Sequence, residues 1–269
     1  EKYDEWKDDT MFIEDVMRFL DNVMSDFINR APDSFSNAKY SAARERSVGL
    51  GVMGLHSFFQ QKNIPFGSVM SKVWNQKIFK HIQEKADQAS VKLAEERGSC
   101  PDAEEYGIKE RFSNKTAIAP TASISVICGG ASPGIEPIAA NSYTHKTLSG
   151  SFNVRNKYLA KILEKHGKND DETWSSITTN QGSVSHLDFL TDIEKDTFKT
   201  AFEIDQRWIV ELGADRTPNI SQAQSINVFV PADIHKKDLH QIHFQAWKKG
   251  LKSLYYCRSK SIQRAENVN

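Results

Sequence analysis

Between residues 225 and 257 the chain reads as strand, helix, strand, and this order leaves few ways to fold. Residues 225–230 form a largely apolar run, residues 234–249 carry apolar side chains at helical spacing and stop at Gly250, and residues 251–257 form a second extended run. Strands joined through a helix-length crossover run parallel, because the chain must travel back along the sheet before the next strand begins. The pattern therefore predicts an α/β fold built on parallel strands. A further buried strand is expected at Ala117, Ile118 and Ala119, closed by Pro120.

Helical periodicity fills most of the remaining chain. Phe12, Ile13, Val16, Met17, Leu20, Val23, Met24 and Phe27 recur at steps of three and four, which predicts an amphipathic helix over residues 12–28 with an acidic outer face. A polar connector, residues 34–46, leads to a second helical pattern through Leu55, Phe58 and Phe59. A third runs over residues 69–97 until Gly98 and Pro101 end it. A helix is predicted over residues 152–166, followed by a polar separator at 167–176. Thr191 and Glu194 form a capping box, and the helix they start is expected to carry Phe198, Ala201, Phe202, Ile209 and Leu212 as far as Gly213. No repeat, low-complexity tract or linker divides the chain, so residues 1–269 are read as a single domain.

Composition removes several classes of function. Thirty-five basic residues face 35 acidic ones, a formal net charge of +0, so no global field attracts a polyanion and no nucleic-acid partner is expected. With 39% hydrophobic and 26% charged residues the chain has an ordinary globular composition, and no apolar run reaches the ~18 residues of a membrane span. Cys100, Cys128 and Cys257 are too scattered for a disulfide framework or a CxxC motif, which points to a reducing compartment, the cytoplasm. The chain opens at Glu1 without a starting Met or a signal segment, and is expected to be a piece of something longer.

Gly49, Gly51 and Gly54 match GxGxxG, but charged residues precede them and no acidic residue follows at ribose distance. Close helix packing around small residues is the expected role. His235, His240 and His243 lack ligand-spaced partners and read as the polar flank of a helix, with no metal expected. The segment Pro120, Thr121, Ala122, Ser123, Ile124, Ser125 places hydroxyls and successive N–H groups at a strand end, where they can donate to an anion without a lysine. A helix cap or a hydroxyl-stabilised turn is the simpler reading. Tyr255 and Tyr256 are adjacent phenols, either core aromatics or a one-electron relay; stacked rings would require a break in an ideal strand, which points neighbours to opposite faces. Glu136 and Asp215 are candidate carboxylates that spacing pairs with nothing.

Taken together, four colinear segments resemble the large (alpha) subunit of class I ribonucleotide reductase. They are RERSVGLGVMG beginning at Arg44, AIAPTASIS beginning at Ala117, SPGIEP beginning at Ser132 and WKKGLKSLYY beginning at Trp247. The resemblance covers nearly the whole chain and implies the C-terminal part of that family's ten-stranded α/β barrel, helix-rich and incomplete as a lone chain. It implies that the loop from Pro120 to Ser125 cradles the diphosphate of a ribonucleoside diphosphate, with Thr121, Ala122, Ser123 and Ile124 at contact positions. The family often has a more polar residue where Ile124 stands, which favours a backbone contact there. Tyr255 and Tyr256 match the pair that carries a radical from a metal-containing small (beta) subunit; the coenzyme B12-dependent class lacks the pair.

The departures matter equally. The family's thiyl-forming cysteine, its neighbouring Asn and Glu, its reducing cysteines and its regulatory regions lie upstream of the part resembled, and none of Cys100, Cys128 and Cys257 matches them. No Cys follows Cys257 to accept electrons from thioredoxin or glutaredoxin. The chain is therefore expected to be a fragment, a truncation or one product of a split gene. It would bind no cofactor of its own and would be silent without the N-terminal portion and the small subunit, the assembled alpha being a homodimer. The alternatives are a non-catalytic phosphate-ligand or assembly module and a fragment of a B12-dependent reductase.

Overall fold

Four extended segments lie side by side in chain order, all parallel, in a computed structural model that describes residues 1–147 and 150–259. Leu50 donates to Lys115 O and accepts from Ala117 N, a parallel pairing around Thr116. On the other side of this segment Ile118 bonds to Ala223 and Ser225 around Gln224. The chain then continues into strand β3, which pairs in parallel with β4, so the α/β expectation holds as an arc of parallel strands. No further strand pairs with either end of the arc, and no closed barrel forms, among the described residues.

The elements in order are α1 (Tyr3–Trp6), α2 (Phe12–Arg30), α3 (Ser36–Glu45), α4 (Leu55–Gln61), α5 (Val69–Arg97), α6 (Pro101–Glu105), α7 (Ala122–Ile127), β1 (Ser142–Thr147) and β2 (Gly150–Arg155). They continue with α8 (Lys157–Lys165), α9 (Asp171–Thr179), α10 (Asp192–Thr197), α11 (Gln206–Arg216), β3 (Val228–Val230), α12 (Lys236–Lys248) and β4 (Cys257–Ser259). The main core packs Met17 of α2, Phe58 and Phe59 of α4, Phe79, Ala86 and Leu93 of α5 and Leu212 of α11 against Ile118 and Ile226 of the arc. A second core, around Leu159, Leu163, Trp174, Ile177 and Phe198, closes the excursion between the second and third parallel segments.

Several expectations change. The polar connector contains α3, a helix with no buried residue whose Arg44 pairs with Asp102 and Glu105. Residues 150–155 form β2 of an antiparallel hairpin, and the helix begins only after Asn156, whose side chain caps Tyr158 and Leu159. The polar separator contains α9, capped by Asp170 and buried through Trp174 and Ile177. The capping box at Thr191 and Glu194 is present, but its helix ends at Thr197; Thr200 turns onto Glu203, and Asp205 caps a new helix that runs through Gly213. The run 117–120 forms no named strand: single bridges join Thr116, just before it, to Leu50 and Ile118 to Gln224. The strands expected at 225–230 and 251–257 shrink to Val228–Val230 and shift to Cys257–Ser259.

Gly51 shows why the GxGxxG segment is small. A Cβ there would stand 2.4 Å from Ala117 O, so two parallel backbones approach where helix packing was expected. Backbone cannot yield as a flexible side chain can, and Gly51→Ala is expected to destabilise the chain by about 1–3 kcal/mol, seen as a lower urea midpoint.

Candidate functional site

The segment after the Ala117–Ala119 run turns at Thr121, a left-handed residue with φ 52°, and enters the six-residue helix α7. The loop expected at Thr121–Ser125 is thus a helical turn. The first i to i−4 bond is Ser125 N to Thr121 O, which leaves the N–H groups of Ala122, Ser123 and Ile124 ahead of any helical acceptor. Nor does a hydroxyl cap them: Thr121 makes no side-chain cap bond, and its Oγ1 accepts from Gly134 N at 2.7 Å. The cap half of the simpler reading is therefore not realised, while hydroxyls do stabilise the turn, Thr121 Oγ1 through Gly134 N and Ser125 Oγ through Ala122 O. Ala122, Ser123 and Ile124 are exposed, while Ser125 is buried and donates to Ala122 O.

The turn 132–137 backs this segment. Ser132 and Ser57 exchange hydrogen bonds, each backbone N–H donating to the other's hydroxyl, at 2.9 and 3.1 Å, which ties the turn to α4. Gly134 has φ +46°, and a Cβ on it would lie 2.9 Å from Ala119 O, so the turn presses directly on the backbone leading into Thr121. Two residues on, Glu136 is buried, and its Oε1 accepts from Asn227 Nδ2 at 2.5 Å. Burial drives its carboxyl up to about 7 against the opposing influences of Arg258 and the Asn227 bond.

Asn227 leads to the tyrosines, because its Oδ1 accepts from Tyr256 N at 3.0 Å. In a regular ladder in register with Val228 opposite Cys257, Tyr256 N would donate to Ile226 O. Instead Tyr255 N donates to Ile226 O, and Val228 N donates to Tyr256 O, so one extra residue is accommodated. This is a bulge, which re-aims side chains that an unbroken strand would send to opposite faces. The rings of Tyr255 and Tyr256 accordingly come together, with centroids 4.1 Å apart and planes tilted 55°. They are 50% and 56% exposed, which overturns the core-aromatic reading. A hydrogen bond to Tyr256 pushes the Tyr255 phenol up from its ordinary value.

The phosphate-loop candidate and the tyrosine pair are thereby joined through one turn. Thr121 binds Gly134, Glu136 binds Asn227, and Asn227 binds Tyr256. Glu136 was visible in the sequence but unpaired, and Asn227 was missed; its signal was a carboxamide inside an otherwise apolar strand. Asp215 is not brought to this turn and lies against Lys72. His235 caps α12, His243 contacts Leu239 O, and His240 stacks on Phe244.

A parallel arc with helical crossovers, carrying a turn at one strand end and paired phenols at another, defines part of an α/β barrel. The chain belongs to the ribonucleotide reductase family: the family's barrel domain matches residues 1–110 and 102–257. It is 49% identical over 273 residues to the ribonucleoside-diphosphate reductase large subunit of Invertebrate iridescent virus 6, covering 100% of this chain and 28% of that protein. It is 42% identical to the large subunit of Invertebrate iridescent virus 3, covering 99% of this chain and 42% of that one. Among solved structures, the class Id ribonucleotide reductase alpha subunit of Actinobacillus ureae aligns at TM-score 0.90 and 40% identity, over 97% of this chain and 48% of that one. The chain thus spans less than half the length of these relatives.

Proposed function

We propose that this chain is the part of a class I ribonucleoside-diphosphate reductase large subunit that holds the substrate diphosphate and carries the last radical-transfer tyrosines. The observation that carries this reading is the exposed, ring-adjacent pair Tyr255 and Tyr256, tied through the 132–137 turn to the open amides of α7. The reaction replaces the ribose 2'-OH with hydrogen and releases water. Two electrons and two protons come from a dithiol, which thioredoxin or glutaredoxin would restore.

Each part of the chain has a defined task in this reading. Ala122, Ser123 and Ile124 supply N–H donors, and the hydroxyl of Ser123 adds another, to phosphate oxygens at a helix start where negative charge is favoured. Ser125 and Thr121 shape the turn through Ala122 O and Gly134 N, and Pro120 leads the chain into it. Tyr255 and Tyr256 pass an electron while each phenolic proton moves, the radical originating in a metal-containing small subunit. The cysteines of the chemistry lie on the N-terminal portion of the same large subunit, and the working assembly is a homodimer of alpha in the cytoplasm. Among the described residues, no helix is long and apolar enough to cross a membrane.

Ser123→Asp tests the cradle. Charge-assisted bonds contribute ~1.5–3 kcal/mol each, so losing a donor and adding a like charge should raise the Kd for a ribonucleoside diphosphate about 10- to 100-fold. The measurement is calorimetric titration of the chain assembled with the rest of the large subunit. Unchanged affinity with intact circular dichroism would remove the assignment.

A further inference from the structure

We infer that Glu136, acting through Asn227, is the positioning residue that holds Tyr255 and Tyr256 ring to ring. The inference rests on the radical-transfer reading for its purpose, but its geometry stands apart from that reading. The bulge leaves Tyr256 N–H without the carbonyl that a regular ladder would give it, since Ile226 O is taken by Tyr255 N. A partly buried N–H loses stability without a partner, and Asn227 Oδ1 supplies the partner. A carboxamide can present either end, so something must fix which end faces Tyr256. Glu136 does so: a carboxylate only accepts, which compels Asn227 to turn Nδ2 towards Glu136 and Oδ1 towards Tyr256.

Without this bracket, the regular register, with Tyr256 N on Ile226 O, satisfies the backbone equally well. That register sends the two rings to opposite faces. The bulge is thus one of two available registers, and the buried Glu136–Asn227 pair selects the one that brings the phenols together. The groups acting on Glu136 are Asn227, by its hydrogen bond, and Arg258 on β4, whose charge favours the carboxylate. Protonating Glu136 makes it a weaker acceptor and loosens its hold on Asn227, and its carboxyl sits at about 7, within reach of titration.

Selective 15N-tyrosine labelling of the full chain yields few enough amides to assign, since there are only seven tyrosines, and Tyr256→Phe removes and so identifies the one of interest. In the unmodified protein, the Tyr256 amide shift is expected to follow pH with a midpoint near 7, and nuclear Overhauser contacts are expected between the two rings. Glu136→Gln keeps the shape but is itself a carboxamide that no longer compels the Asn227 orientation, so it should lose the pH midpoint and weaken the ring contacts. Glu136→Leu and Asn227→Leu should lose the ring contacts. A Tyr256 amide that ignores pH, a midpoint that survives in Glu136→Gln, or ring contacts that persist in a folded Asn227→Leu would each overturn the inference. If a Leu variant does not fold, the ring contacts and the pH profile of Glu136→Gln together decide. None of these readouts uses turnover. Failure of the radical reading would show as activity retained in the Tyr→Phe variants, while the Tyr256 amide of the unmodified protein still titrates as expected.

Discussion

Asp21→Ala is expected to destabilise the chain by about 3–5 kcal/mol, because it leaves buried guanidinium groups without their counter-charge. The Asp21 side chain is fully buried on the inner face of α2, where it meets Arg46 after α3, Arg97 at the end of α5 and Arg111 beyond it. Its Oδ1 accepts from Arg46 Nη2 at 2.6 Å and from Arg111 Nε at 2.9 Å, and its Oδ2 accepts from Arg97 Nη1 at 2.7 Å. Arg46 and Arg111 are themselves only 8% and 9% exposed, so water cannot replace the lost carboxylate. With total stabilities typically ~5–15 kcal/mol, this is a large fraction of the whole.

The same carboxylate sets an acid limit. Burial raises its pKa, but the hydrogen bonds from Arg111, Arg97 and Arg46 outweigh burial and hold it below the ordinary value. A depressed carboxyl contributes stability that is fully present above the unfolded value of about 3.9 and is lost as pH falls through the folded value. The urea midpoint should therefore drop on acidification below about pH 4, and Asp21→Asn should lower it at neutral pH while flattening that acid limb. An Asp21→Ala midpoint within error of the parent would show that the arginines find other partners.

Local signals made some elements legible and long-range bonds hid others. Residues 69–97 were readable because apolar spacing persists and Gly98 ends the helix; the structure adds Ser68 as the cap at its start. The break after Thr197 was not, because Phe198, Ala201 and Phe202 continue a helical apolar pattern while Thr200, Glu203 and Asp205 satisfy the backbone locally instead. The paired segments 142–147 and 150–155 lack clear apolar alternation, and their pairing is established only in three dimensions. At the candidate site, the segment from Pro120 to Ser125 and the tyrosine pair were singled out through family resemblance. The bulge was not, since it depends on Glu136 bonding to a carboxamide 91 residues away.

Tyr255→Phe and Tyr256→Phe are each expected to abolish turnover in the reconstituted reductase while leaving assembly and substrate binding nearly normal. Phenylalanine keeps the ring and the 4.1 Å contact but removes the phenolic O–H, and without a proton to release the ring is far harder to oxidise. Stability should barely change. Both side chains are about half exposed, and surface substitutions usually alter stability by no more than about 0.5 kcal/mol, so lost folding would not explain lost activity. The hydrogen bond between the phenols gives a second reason to expect sensitivity at either position, because replacing one changes the protonation environment of the other. Tyr143→Phe is the control: this residue lies on β1, away from the bulge, and burial raises its phenol. Activity should survive there. Steady-state conversion of a ribonucleoside diphosphate, with the remainder of the large subunit, the small subunit and a dithiol present, separates the outcomes. Near-normal rates in either Tyr255→Phe or Tyr256→Phe would reduce the pair to a surface contact and leave the class I assignment to the family match alone.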